Sequence, residues 1–162
     1  MKKPRKLTKC RISGSPNLTS VLDLGQQHLT GVFPTSSNEK ITKGPLSLVW
    51  CPESCMLQLD HSYDANEMYG SNYGYRSGLN GSMVSHLSNK IAQLERIYDL
   101  QDNSIVLDIG SNDATSLKSY KRKKLKRIGI DPVGEKFRSF YVDEIDLIPE
   151  FYSSDCFLEF TK

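Results

Sequence analysis

Apolar positions along this 162-residue chain come first as short runs, then at helical spacing, then as short runs again. Val21 to Gly25 alternates apolar and polar residues and stops at a glycine, which predicts a short strand ending in a turn. His28 to Phe33 is a further apolar patch closed by Pro34, and Thr35 to Lys40 is a polar loop. Gly44-Pro45 is a chain break, after which Leu46 to Trp50 and Met56 to Leu59 read as strands flanking Cys51-Pro-Glu-Ser-Cys55. Ser82 to Leu100 is the clearest helix: Met83, Leu87, Ile91, Leu94, Ile97 and Tyr98 repeat at steps that set one apolar face. Asn80 or Ser82 is its cap.

Beyond the helix, Ser104 to Ile109 has the β-branched content and shortness of a fully buried strand. A turn from Gly110 leads to a helix at Thr115 to Tyr120, and a second strand closes at Arg127 to Ile130. Val133 to Phe140 predicts a helix, Asp143 to Ile148 a third strand ended by Pro149, and Asp155 to Phe160 a further helix. The fold class expected is an α+β ribbon-like N-terminal module followed by a partial α/β, Rossmann-like domain. The boundaries expected are 1–62 for the ribbon, 63–102 for a tyrosine-rich segment and linking helix, and 103–162 for the α/β part.

Composition narrows the function classes. Hydrophobic residues are 38% and charged residues 25%, ordinary for a soluble globular protein. A net charge of +2 is too small to argue for nucleic acid. No apolar run approaches the ~18 residues of a membrane span. The basic start, Met1 to Lys9, is a solvated tail, and no apolar core follows it as in a secretory signal. A cytoplasmic setting, with no nucleic-acid or membrane partner, is the expectation. Lys118 to Arg127 carries seven basic residues in ten with few aromatics between them, which reads as a solvated helix end and loop.

Clustered cysteines in a reducing compartment point to metal before disulfide. Cys10, Cys51 and Cys55 are candidate zinc ligands, whereas Cys156 reads as an ordinary apolar residue. Structural zinc wants four thiolate or imidazole ligands. Three residues after Cys10 stands Ser13, a poor ligand, and the spacing does not require His28 or His61 to complete the set. The alternatives are a zinc ribbon and a degenerate ribbon held by its own small core.

Tyr63, Tyr69, Tyr73 and Tyr75 fall within thirteen residues among Ser, Asn, Gly and Arg. They make either a surface for a sugar or polar substrate, or an ordered loop that packs its own rings. The strand–turn–helix–strand from Ile105 to Asp131 is the first half of a nucleotide-cofactor site. Gly110 lets the backbone turn, and the amides of Ser111 and Asn112 lead into the helix start. The turn lacks the further glycines of the dinucleotide fingerprint. Asp108 at the strand end suits a cation such as the amino group of a methionine moiety, and Asp131 suits ribose hydroxyls.

The ordered set Cys10-Arg-Ile-Ser-Gly14, Val21-Leu-Asp-Leu-Gly25, Cys51 to Cys55 with Leu57-Gln-Leu59, Tyr73-Gly-Tyr-Arg-Ser77, Ser82-Met-Val-Ser-His86, Leu107 to Asp113 and Gly129-Ile-Asp-Pro132 resembles the N-terminal part of the sugar C-methyltransferases. That family methylates nucleotide-linked deoxy-keto-sugars. The resemblance implies a cysteine-ligated zinc module, a tyrosine segment near a nucleotide-sugar substrate, and a class I domain using S-adenosylmethionine. It implies enolate chemistry, with Tyr73 or Tyr75 as the catalytic tyrosine that orients the sugar or donates to the developing oxyanion. Ser13 stands where the family has a ligand cysteine, and Ala114 where its cofactor turn has glycine, so that the alanine methyl would crowd the ligand and reduce affinity without abolishing it. The chain stops after about three of the family's seven strands and holds no counterpart of its later histidine and glutamate. The expectation is that a longer natural chain, or a second chain, completes the sheet. The alternative function is a non-catalytic module that binds a sugar nucleotide or a protein.

Overall fold

The computed structural model describes residues 3–29, 34–70, 73–122, 124–142 and 144–162. Part of the apolar patch predicted up to Phe33 lies outside these residues, as do Lys123 of the basic run and Asp143 of the third predicted strand. The chain forms two units, Met1–Gly74 and Tyr75–Lys162, so the boundary falls inside the tyrosine-rich segment.

The first unit contains β1 (Arg5–Lys6), β2 (Thr19–His28), β3 (Lys43–Cys51), β4 (Met56–Leu59), β5 (His61–Ser62) and helix α1 (Ala65–Tyr69). β2, β3 and β4 make an antiparallel three-stranded sheet in that order, and β1 pairs with β5. The expected stop at Gly25 is corrected: β2 runs on to His28. Gly25, at φ +68°, lies within a register shift between Asp23 and Gln26, which bulges the strand without ending it. Gly44-Pro45 is not a break either, because both residues pair with β2. β4 reaches only Leu48 to Cys51 of β3, so the missing N–H of Pro45 falls where β3 has one sheet neighbour. Tyr63 donates its hydroxyl to the Pro45 carbonyl at 2.6 Å. A Cβ on Gly44 would lie 2.7 Å from that hydroxyl oxygen, so the close approach requires glycine.

The second unit contains α2 (Gly81–Ile97), β6 (Ile105–Ile109), α3 (Thr115–Lys118), β7 (Lys126–Ile130), a 3-10 segment (Gly134–Phe140), β8 (Ile145–Ile148) and α4 (Ser154–Phe160). The strands form a parallel sheet in the order β6-β7-β8. Register places Val106 and Ile145 on one face, in a cluster with Ala114, Leu117 and Leu125. Ile128, Ile130 and Ile148 occupy the other face, with Cys156 and Phe157 of α4 packed on them. Both faces are therefore covered, as parallel sheets require.

Two sequence expectations change here. β7, the middle strand, is the buried one, whereas β6 is a sheet edge among the described residues, with Ile105 and Ile109 exposed. α2 ends at Ile97, and of its predicted apolar face only Ile91 is buried; Ile97 and Tyr98 are exposed. The helix predicted at Val133 to Phe140 is present as a 3-10 helix over Gly134–Phe140. Of the two expected caps, Asn80 and Ser82, Asn80 caps α2, its side chain accepting from the Ser82 N–H at 3.0 Å. α4 is capped by Ser153, which accepts from the Cys156 N–H at 3.1 Å.

Candidate functional site

The predicted cofactor turn is built from alternating left-handed residues. Gly110, Asn112 and Ala114 have φ of +77°, +51° and +59°. Only glycine adopts this conformation freely; asparagine tolerates it, and alanine does so at a cost. A Cβ on Gly110 would meet nothing within 4 Å, so its backbone angle, not space, calls for glycine. The expected crowding by Ala114 is corrected. Its methyl is fully buried among Val106, Leu117 and Leu125 rather than standing in a ligand's place.

Hydrogen bonds anchor the turn to the end of β7. The N–H of Gly110 donates to the Ile130 carbonyl at 2.8 Å. Asp131 is buried and accepts from the N–H groups of Asn112 and Val133, each at 2.8 Å. Tyr141 shares a 2.7 Å hydrogen bond with the hydroxyl of Ser111 and donates to the Asn112 carbonyl at 2.8 Å. Burial pushes the Tyr141 phenol up to about 12, so it stays a donor. Gly129 leaves the room for this arrangement: a Cβ there would come 2.5 Å from the Ser111 hydroxyl oxygen.

The segment 75–79 is strapped onto the same turn. The Asn112 side chain donates to the Tyr75 carbonyl at 3.1 Å and accepts from the Ser77 N–H at 2.9 Å. Asp113, 1% exposed, accepts from the Gly78 N–H at 3.0 Å and from Thr115. Arg76 lies 3.8 Å from Asp113 and 4.3 Å above the centre of the Phe140 ring. Asp113, Tyr141 and Arg76 are absent from the predicted site. Asp113 stands in the quoted run Leu107 to Asp113 and Arg76 in the tyrosine-rich segment, each without a role of its own, and nothing local marked Tyr141.

Asp108 is half-buried at the end of β6. Burial raises its carboxyl above the usual range, the nearby charge of Lys90 opposes this, and Asp131 adds to it. A desolvated carboxylate beside another acid favours a cationic partner. The structure thus brings together Asp108, Gly110, Ser111, Asn112 and Asp131 around two adjacent strand ends. Tyr75 is exposed at the start of the strap. Tyr73 belongs to the first unit, its ring tilted against Tyr69 with centroids 5.6 Å apart. An open cavity of ≈ 410 Å³ in the first unit is lined by Lys6, Ser20, Asp23, Ser47 and Asp60 among others, and by none of the predicted tyrosines or cysteines.

The three candidate zinc ligands do not converge. Cys10 and Cys51 are buried, 4% and 0% exposed, but Cys55 is exposed. The third intervening residue carries Cys55 past the knuckle, to a left-handed position with φ of +51°. Its Sγ donates to the Pro52 carbonyl at 3.7 Å. The neighbours of the buried thiols are serines: Cys10 Sγ lies 3.2 Å from Ser54 Oγ, and Ser13 Oγ lies 3.4 Å from Cys51 Sγ. Hydrogen bonds from Ser54, then Ser13, pull the Cys10 thiol down to about 5. Among the described residues no group of three or more His, Cys, Asp and Glu side chains could hold a metal ion. Two cysteine sulfurs with two neutral hydroxyls do not fit a structural zinc.

Residues 10–69 match the family model described as "Putative zinc binding domain". Over 130 residues the chain is 24% identical to the C-methyltransferase NovU of Streptomyces niveus, covering 79% of this chain and 31% of that protein. The chain therefore spans about a third of the length of the curated relative it matches. Both findings bear out the resemblance read from the sequence, that of a sugar C-methyltransferase N-terminal module. No helix among the described residues is long and apolar enough to cross a membrane.

Proposed function

We propose that this chain is the N-terminal part of an S-adenosylmethionine-dependent C-methyltransferase acting on a nucleotide-linked keto-sugar, and that its second unit is the start of a Rossmann-like class I domain. The observation that carries this reading is the pair of acids, Asp108 and Asp131, at the ends of paired parallel strands across a left-handed turn. Asp108 would hold the amino group of the methionine moiety. That cation would relieve the desolvation its carboxylate suffers. Asp131 would take the ribose hydroxyls, because a carboxylate has about four acceptor positions and its two amide partners leave some of them open.

When bound, the cofactor supplies an electrophilic methyl group; the chain's own residues bind and orient. The strap fixes Tyr75 to the turn through its carbonyl, which favours Tyr75 over Tyr73 as the tyrosine that meets the sugar oxygen. A phenol there can donate to the oxygen that gains charge when a proton leaves the adjacent carbon.

Calorimetric titration of the chain with S-adenosylhomocysteine tests the pocket. Saturable heat is expected, and Asp108→Asn should weaken binding by roughly tenfold, the loss of about one charge-assisted hydrogen bond. Absence of heat with a folded chain rejects the reading and leaves a non-catalytic binding module in its place.

A further inference from the structure

We propose that the two cysteine knuckles of the first unit are a metal-free version of a four-ligand site, in which Ser13 and Ser54 occupy two ligand positions and crossed thiol–hydroxyl hydrogen bonds replace the metal. This is independent of the cofactor reading. Cys10-Arg-Ile-Ser13 and Cys51-Pro-Glu-Ser54 share one spacing, a cysteine and a serine separated by two residues. Each serine pairs with the cysteine of the opposite knuckle: Ser54 with Cys10 at 3.2 Å, and Ser13 with Cys51 at 3.4 Å.

The backbone of the first knuckle is already closed. The Ile12 N–H donates to Cys10 Sγ at 3.4 Å, and the Gly14 N–H donates to the Cys10 carbonyl at 3.0 Å. The Cys51 thiol has Glu53 as a further acceptor at 3.3 Å. The buried polar groups therefore satisfy one another, which is the condition for keeping them inside. A zinc ion would have to break these bonds and accept two neutral hydroxyls in exchange. Cys55 takes no part, because it occupies the left-handed residue that turns the chain into β4.

The test compares the natural chain with Ser13→Cys/Ser54→Cys, both reduced, dialysed against zinc and analysed for metal. The natural chain should retain no zinc, and its melting temperature should not move on adding a chelator. The double variant should hold about one zinc per chain in a tetrahedral thiolate site and melt lower after chelation. With cobalt in place of zinc it should show thiolate charge-transfer absorption. Adding Cys55→Ser to it should change neither metal content nor spectrum. Stoichiometric zinc in the natural chain overturns the proposal. So does a double variant that takes no metal, stays unfolded with zinc supplied, or needs Cys55 to bind it.

Discussion

Ala114 shows how a single residue is held between opposing demands. Its left-handed backbone costs about 1–2 kcal/mol, and its methyl is enclosed in the core of the second unit. Ala114→Gly should relieve the backbone cost and lose the packing, leaving stability within about 1 kcal/mol of the natural chain in urea unfolding. Ala114→Val adds a β-branch at positive φ in a filled space, and should destabilise by roughly 2–4 kcal/mol. Asp108 is the second such position. Its folded carboxyl titrates above the unfolded value, so the folded state binds more protons as pH rises past the unfolded value. Stability therefore falls with rising pH through that window. Asp108→Asn should abolish this slope and raise stability at neutral pH, as read by chemical denaturation at a series of pH values. Removal of the acid would then stabilise the fold while weakening the proposed cofactor site.

At the scale of elements, the strap 75–79 depends on two buried side chains of the turn. Asn112→Ala removes the acceptor of the Ser77 N–H and the donor to the Tyr75 carbonyl. Asp113→Ala removes the acceptor of the Gly78 N–H. Hydrogen exchange at Ser77 should speed up in the first variant and at Gly78 in the second, with α2 beyond its first turn unchanged. Gly129 supports the same turn from β7. Gly129→Ala should displace Ser111 and Tyr141, costing roughly 1–3 kcal/mol, because the new methyl would lie 2.5 Å from the Ser111 hydroxyl oxygen and 2.8 Å from the Tyr141 ring. The edge strand β6 pairs only with β7 among the described residues and exposes Ile105 and Ile109. An open apolar edge recruits further strands, so sedimentation should show association rising with concentration, and Ile109→Lys should reduce it.

Over the whole molecule, the proposals assign different responses to the two units. Saturation with S-adenosylhomocysteine at about 100 times its dissociation constant should add about 2.7 kcal/mol to the stability of the second unit, with exchange protection confined to Tyr75–Lys162. By itself the sequence determined the strand–turn–helix–strand order, the acids at its two ends and the start of α2 at Asn80 or Ser82, since period, glycine and cap residues act over a few neighbours. It also carried the family resemblance. Only the tertiary structure decided which strand is central: β6 and β7 are both short and β-branched, and burial depends on partners far along the chain. The same holds for Ala114, whose methyl direction follows from its backbone angle. It holds for Ser54, which meets Cys10 across forty-four residues and takes the place that spacing alone had given to Cys55. Local chemistry is written in neighbouring residues; convergence is settled only when the knuckles and strands have closed on one another.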